Sequence, residues 1–225
     1  MHIGLIGGIG PAATEFYYRG LVARHAASGT PLELTIDHAD LRELAKNIDN
    51  GDAKRQADIF VRHIRRLAAA GAKAAAITSI GGHFCIREVK AASPVRVVSA
   101  IPEIDAEIRR QGLKRVGILG TQAAMRSKLY GLIEAAEIVA PQGTAQDIVH
   151  ENYLQMAIDG RATDDQRRAL FSIGQDLCIE GGAEAVLLGG TDFFLAFDGW
   201  DPGFPVIDCA TVHVEALYAA SLGIP

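Results

Sequence analysis

The chain has 225 residues, 49% of them hydrophobic, with 22 basic against 27 acidic side chains and a net charge of −5. That is enough apolar chain to bury a full core as one large domain or two intimate lobes, and no Lys/Arg-rich stripe interleaved with aromatics gives it the electrostatic footprint of a nucleic-acid binder. No apolar run approaches the ~20 residues of a membrane span, the first residues read as strand rather than leader, and the three cysteines form no CxxC pair, so we expect a soluble cytoplasmic protein with neither nucleic acid nor membrane as partner.

In chain order, residues 3–7 predict a first strand and residues 11–27 a helix. A strand at 32–38 and a helix at 52–70 follow. The helix carries Ile59, Phe60, Ile64, Leu67 and Ala68 at helical spacing, and Gly71 supplies the stop just past its end. A strand at 73–79, a helix at 83–92, a short strand near 96–98 and a helix at 102–111 complete the first half. The second half is predicted to repeat the alternation: strand 115–119, helix 123–135, a short strand near 137–140, helices 144–159 and 163–180, strands 184–189 and 205–207, and a C-terminal helix at about 210–221. The strand runs lack period-2 alternation, which suits strands buried on both faces of a parallel sheet.

The two halves say nearly the same thing. Ile3-Gly4-Leu5-Ile6-Gly7-Gly8 returns as Val116-Gly117-Ile118-Leu119-Gly120-Thr121, and Gly71-Ala72-Lys73-Ala74-Ala75-Ala76-Ile77-Thr78-Ser79 returns as Gly182-Ala183-Glu184-Ala185-Val186-Leu187-Leu188-Gly189-Gly190. The expected fold is α/β, with two pseudo-symmetric Rossmann-like lobes of parallel sheet and an active cleft between them. The best seam runs from Arg109 to Lys114, giving residues 1–100 plus 210–225 as lobe one and 101–209 as lobe two. Small residues that close the strands sit where open α/β sheets place their ligands, which makes Gly7, Gly8 and Thr121 binding candidates.

The glycines at 4, 7, 8 and 10 depart from the G-x-G-x-x-G dinucleotide spacing. Pro11 also removes a donor at the helix start, and no Gly-Lys-Ser or Gly-Lys-Thr occurs, so no nucleotide is expected. Turns of this kind favour backbone N–H groups offered to a small carboxylate. The histidines, His2, His38, His63, His83, His150 and His213 among them, are dispersed without HxH or HExxH spacing, so no metal is expected either.

Residues 3–14, IGLIGGIGPAAT, followed by Phe16-Tyr17-Tyr18, resemble the opening of the aspartate/glutamate racemases. Further collinear matches are Gly71-Ala72 before a strand leading to His83, VGILGT with Met125 and Tyr130 beyond, GAEAVLLGGTDF, and Pro205-Val206-Ile207-Asp208 with Thr211 and His213. The resemblance covers nearly the whole chain. It implies the two-lobed fold, a homodimer, and racemisation at the carbon alpha to a carboxylate without pyridoxal phosphate or any other cofactor. In the family two cysteines face each other across the cleft; one thiolate removes the α-proton and the other thiol protonates the opposite face. Such chemistry needs thiolate activation and preorganised donors for an enolate-like transition state.

The family's first cysteine lies in Cys-Asn-Thr-x-His, where this chain has Ser79-Ile80-Gly81-Gly82-His83. Its second lies in Gly-Cys-Thr-Glu, where this chain has Gly189-Gly190-Thr191-Asp192. Both thiols are gone, and the internal repeat superimposes Ser79 on Gly190 independently of the family. A glycine carries no acid or base, and a serine hydroxyl is too weak a base to work unaided. Cys85 and Cys209 lie near the two motifs and read as buried hydrophobes or as substitutes; Cys178 reads as core. We expect Ser79, His83, Asp192 and His213 to carry any acid/base work, with capping and packing as the rival roles of the two histidines. Gly7, Gly8, Gly81, Gly82, Gly190, Thr191 and Thr121 are expected to bind the carboxylate. Two functions stand: an enzyme acting at the carbon alpha to a carboxylate of a small amino-acid-like or dicarboxylate substrate, its chemistry altered toward a one-sided lyase or decarboxylase, or a catalytically inactive protein of the same fold that binds a small carboxylate or a protein partner. His150 falls near the region where relatives carry a basic residue for a distal carboxylate, and the nearest cation beyond is Arg161, which weakens aspartate or glutamate as substrate. Because a racemase needs competent groups on both faces and Gly190 offers none, racemisation of either is expected to be absent or very slow.

Overall fold

The computed structural model describes residues 1–224. Strand β1 (Ile3–Gly7), helix α1 (Pro11–Ser28), β2 (Leu34–His38), α2 (Leu41–Asp49), α3 (Ala53–Ala69), β3 (Ala74–Ile77), α4 (Ile86–Ala92), β4 (Arg96–Val97) and α5 (Ala100–Arg110) come first. They are followed by β5 (Arg115–Gly120), α6 (Gln122–Arg126), β6 (Glu137–Val139), α7 (Thr144–Asp159), α8 (Asp164–Ile179), β7 (Ala185–Gly189), α9 (Phe194–Phe197), β8 (Val206–Asp208) and α10 (Cys209–Ser221). The strands form two parallel four-stranded sheets, ordered β2-β1-β3-β4 and β6-β5-β7-β8. The sequence repeat is therefore one topology built twice. Internal contacts divide the chain into one unit of Met1–Ala100 with the residues from His213 on, and a second of Ile101–Val212.

A single packing device accounts for the repeated glycines. In the first unit Gly4 lies opposite Ala75, and a Cβ on it would stand 2.9 Å from Leu67 Cβ of α3 and 3.2 Å from Ala72. In the second, Gly117 lies opposite Val186, and its Cβ would meet Leu177 of α8 at 3.1 Å and Ala183 at 3.5 Å. The helix rests directly on the strand backbone because the strand offers only hydrogen there. Each helix then turns through a positive-φ glycine, Gly71 at 104° or Gly182 at 67°. The next residue closes the turn: Ala72 N–H donates to Leu67 O and Ala183 N–H to Leu177 O, both at 3.0 Å. Strands β1 and β7 are buried along their whole length, as strands covered on both faces must be.

The predicted elements fail locally in four places, the shortest being the one-turn helix α9 (Phe194–Phe197), where no helix was predicted. Leu41–Asp49 is helical where no helix was predicted; Asp40 caps it by accepting Arg42 N–H at 2.8 Å, and Leu44 and Asn47 face inward. The helix predicted over 123–135 stops at Arg126, and Lys128, Leu129 and Tyr130 adopt φ of 51°, 57° and 63° ahead of Gly131 at 64°. This left-handed turn buries Leu129 completely. The helix predicted from residue 83 begins instead as a 3-10 turn over Gly81–Cys85.

Candidate functional site

In the first unit the turn after β1 is held by a hydroxyl. Gly8, with φ 83°, donates its N–H to Thr14 Oγ1 at 2.9 Å, and Thr14 Oγ1 donates to Gly10 O at 3.0 Å. No side chain fits here, since a Cβ on Gly7 would lie 2.5 Å from Thr14 Cγ2 and one on Gly8 2.4 Å from His38 Nδ1. Backbone crowds this strand end as only glycine allows.

After β3 the chain runs through Thr78 and Ser79 into the 3-10 turn. Ser79 is buried, and its Oγ receives Gly82 N–H at 3.4 Å, the loose end of hydrogen-bonding range. The Ser79 carbonyl accepts from His83 Nδ1 at 2.8 Å, and His83 Nε2 accepts Ala100 N–H at 3.1 Å. Because a carbonyl only accepts, the imidazole proton is assigned to Nδ1 and the Nε2 lone pair is spent on Ala100. His213 is satisfied in the same manner: Nε2 donates to Val98 O at 3.0 Å and Nδ1 receives the Tyr17 hydroxyl at 2.9 Å. The two rings meet edge to face with centroids 5.8 Å apart. Desolvation is the main cause that lowers His83 to about 4 and His213 to about 3. Nearby Lys90 adds to the effect on His83, and His83 to that on His213. A neutral imidazole with both nitrogens occupied has no lone pair to take a substrate proton. In this arrangement both histidines hold the turn rather than titrate.

In the second unit Thr121 caps α6, its Oγ1 accepting Ala124 N–H at 3.3 Å, while His150 Nδ1 accepts Gln122 N–H at 3.2 Å. Gly190, Thr191 and Asp192 follow β7, and Thr191 and Asp192 are fully buried. Gly190 N–H donates to the sulfur of Cys209. The ring of Tyr153, on α7, fills the space above Gly190: a Cβ there would lie 2.4 Å from Tyr153 Cε2, 2.7 Å from Cζ and 3.0 Å from the hydroxyl oxygen. That hydroxyl donates to Asp192 Oδ2 at 3.3 Å, and the ring leans on Phe193 with centroids 4.8 Å apart. Burial first, then the electrostatic influence of neighbouring Asp192 and Cys209, holds the phenol well above its ordinary pKa.

None of the three cysteines stands at the end of β3 or β7. Cys85 closes the 3-10 turn and donates its S–H to Gly82 O at 3.4 Å; burial, with Glu88 adding to it, pushes it up to about 12. Cys209 opens α10 fully buried, held well up by desolvation and then by Asp208 and Asp192. Cys178 lies half-buried on α8, also raised by burial. All three are thiols rather than thiolates at neutral pH.

Of the residues singled out by sequence, Ser79, Gly81, Gly82, His83 and His213 thus gather in the first unit, with Gly7 and Gly8 at the end of the neighbouring strand. Gly190, Thr191 and Asp192 gather in the second, with Thr121 at the end of neighbouring β5. Tyr153 and Tyr17 were missed, and the only signal for Tyr153 was Gly190 itself, a strand end stripped of its side chain. Among the described residues no three His, Cys, Asp or Glu side chains are placed to hold a metal ion, and no helix is long and apolar enough to cross a membrane.

The model of the Asp/Glu/hydantoin racemase family matches residues 6–217. Among solved structures, an aspartate racemase homologue from Pyrococcus horikoshii OT3 is similar at TM-score 0.80 and 25% identity, covering 98% of this chain and 99% of that one. A Yersinia pestis protein proposed to be an Asp/Glu racemase gives TM-score 0.82 at 23% identity, with 99% and 100% coverage. Glutamate racemase of Francisella tularensis, solved in complex with D-glutamate, gives TM-score 0.64 at 16% identity over 99% of this chain and 81% of that one.

Proposed function

Because the chain belongs to the Asp/Glu/hydantoin racemase family, we propose that it labilises the hydrogen on the carbon alpha to a carboxylate of a small amino-acid-like or dicarboxylate substrate, without a cofactor and without thiols. The family fold supports a racemase-like function. The departure from thiol chemistry is supported by Ser79 and Gly190 lying just past the ends of β3 and β7, the positions where the resemblance would put the family's cysteines, and by every cysteine present being a buried or half-buried thiol elsewhere.

Enolate formation needs donors already aimed at the carboxylate. In the first unit Gly82 N–H to Ser79 Oγ is a loose internal bond, at 3.4 Å. A carboxylate oxygen that takes over this N–H leaves the Ser79 hydroxyl to donate to the same anion, while Gly7, Gly8 and Gly81 keep side chains out of its way. His83, bonded to the Ser79 carbonyl, positions the serine, and His213 supports His83. In the second unit Thr191 and Asp192 are the polar groups at the end of β7, beside Gly190, with Thr121 on the adjacent strand. The proposal extends to a homodimer, as the family resemblance implies, and to the cytoplasm, as the cysteine usage and the lack of an apolar span suggest.

The test is incubation in D2O with a panel of amino acids, hydroxy acids and malonates, following α-deuterium incorporation by proton NMR. Incorporation without loss of CO2 or a β-substituent supports the proposal. Decarboxylation or elimination would move the protein to lyase chemistry, and carboxylate binding without exchange would make it a silent binder; no observation favours either. Chiral chromatography of aspartate and glutamate is expected to show absent or very slow D/L interconversion.

A further inference from the structure

We propose that Tyr153 is a catalytic residue of this reaction, its phenol standing in the side-chain space that Gly190 leaves open and carrying the proton to and from the substrate's α-carbon. The inference rests on the proton chemistry proposed above.

Residues 153 and 190 share one volume. A Cβ on Gly190 would be 2.4 Å from the tyrosine ring and 3.0 Å from its oxygen, so the phenol from α7 stands where a short side chain from the end of β7 would otherwise reach. It is aimed there from several directions. Phe193 packs on the ring, Asp192 receives the hydroxyl at 3.3 Å, and the Thr191 side chain also hydrogen-bonds it. A carboxyl end of a parallel strand is where such sheets place their ligands. The other candidate proton carriers are committed within their own units: His83 and His213 have both nitrogens bonded, and the thiols are displaced and protonated.

In the exchange step the small phenolate fraction removes the α-hydrogen. The C–H bond breaks, its electron pair passes into the carboxylate-stabilised enolate, and an O–H bond forms on Tyr153. The phenol swaps that proton for a deuteron from solvent. The O–D bond then breaks as the enolate pair forms C–D, which regenerates the phenolate. Asp192 beyond β7 and Cys209 on α10 both disfavour the phenolate, so the exchange rate rises steadily with pH and reaches no plateau below pH 10, the ordinary phenol value.

The experiment measures kcat and KM for α-deuteration by the wild type and by Tyr153→Phe on the best substrate of the panel, with melting curves of both and the wild-type rate from pH 6 to 10. The proposal expects Tyr153→Phe to lose about 100-fold or more in kcat, with KM within about threefold of the wild type's and a folded protein that melts somewhat lower, because the hydroxyl's bond to buried Asp192 is lost. A variant that exchanges within about threefold of the wild type overturns the assignment and leaves the proposed function standing. So does a wild-type rate that levels off near pH 7, whatever the variant's stability. A wild type that exchanges no member of the panel overturns both.

Discussion

Gly190 and Tyr153 form a coupled pair at the residue scale, and the coupling can be measured apart from catalysis. Adding a methyl group at 190 forces it to within 2.4 Å of a ring held by Phe193 and Asp192. Overpacking of this kind costs about 1–3 kcal/mol. Gly190→Ala should therefore lower the melting temperature, and adding Tyr153→Leu should recover much of the loss; strictly additive effects in the double variant would mean that the two residues do not share the space. The sequence showed Gly190 to be a strand-end glycine, and the internal repeat aligned it with Ser79. It did not show what fills the vacated space, because Tyr153 reads as one more core-facing residue of a helix and its partner lies on a different element. The histidines illustrate the converse. His83 and His213 are recognisable by motif, but their bonding to Ser79, Ala100, Val98 and Tyr17 depends on backbone groups that no residue pattern announces.

Among the elements, the strands were legible because parallel strands buried on both faces read as short apolar runs closed by small residues. The register of β1 with β3 and of β5 with β7 turns that repeat into two equivalent sheets. The segment after Arg126 was not legible. Its residues have ordinary helix propensity and only Gly131 hints at a turn, yet Lys128, Leu129 and Tyr130 are left-handed. Burying Leu129 is what holds them there, a tertiary effect overriding local preference. Each non-glycine residue in this region costs about 1–2 kcal/mol. Lys128 is exposed, so Lys128→Gly should relieve strain without losing packing and raise urea stability by about 1 kcal/mol. No gain, or a loss, would show that the lysine side chain contributes more than its backbone costs.

For the whole molecule, the buried histidines link stability to pH. His83 and His213 titrate in the folded state near 4 and 3, against an ordinary 6.5. Between these values the unfolded chain binds protons that the native state refuses, so stability is full above pH 6.5 and falls as the pH drops through the window. With both groups engaged the slope approaches two protons per molecule, about 2.7 kcal/mol per pH unit. Urea unfolding at pH 7, 6, 5 and 4.5 should show this decline; a halved slope would mean that one ring accepts a proton without breaking its bonds, and a flat profile that both do. In the proposed reaction a racemase-family fold performs proton chemistry at the α-carbon with no thiolate. Its most direct test is α-deuterium incorporation in D2O before and after exhaustive iodoacetamide treatment, with alkylated positions mapped by mass spectrometry. Incorporation should survive treatment while Cys85 and Cys209 stay unmodified; loss of exchange in step with alkylation of either cysteine would return the chemistry to a thiolate.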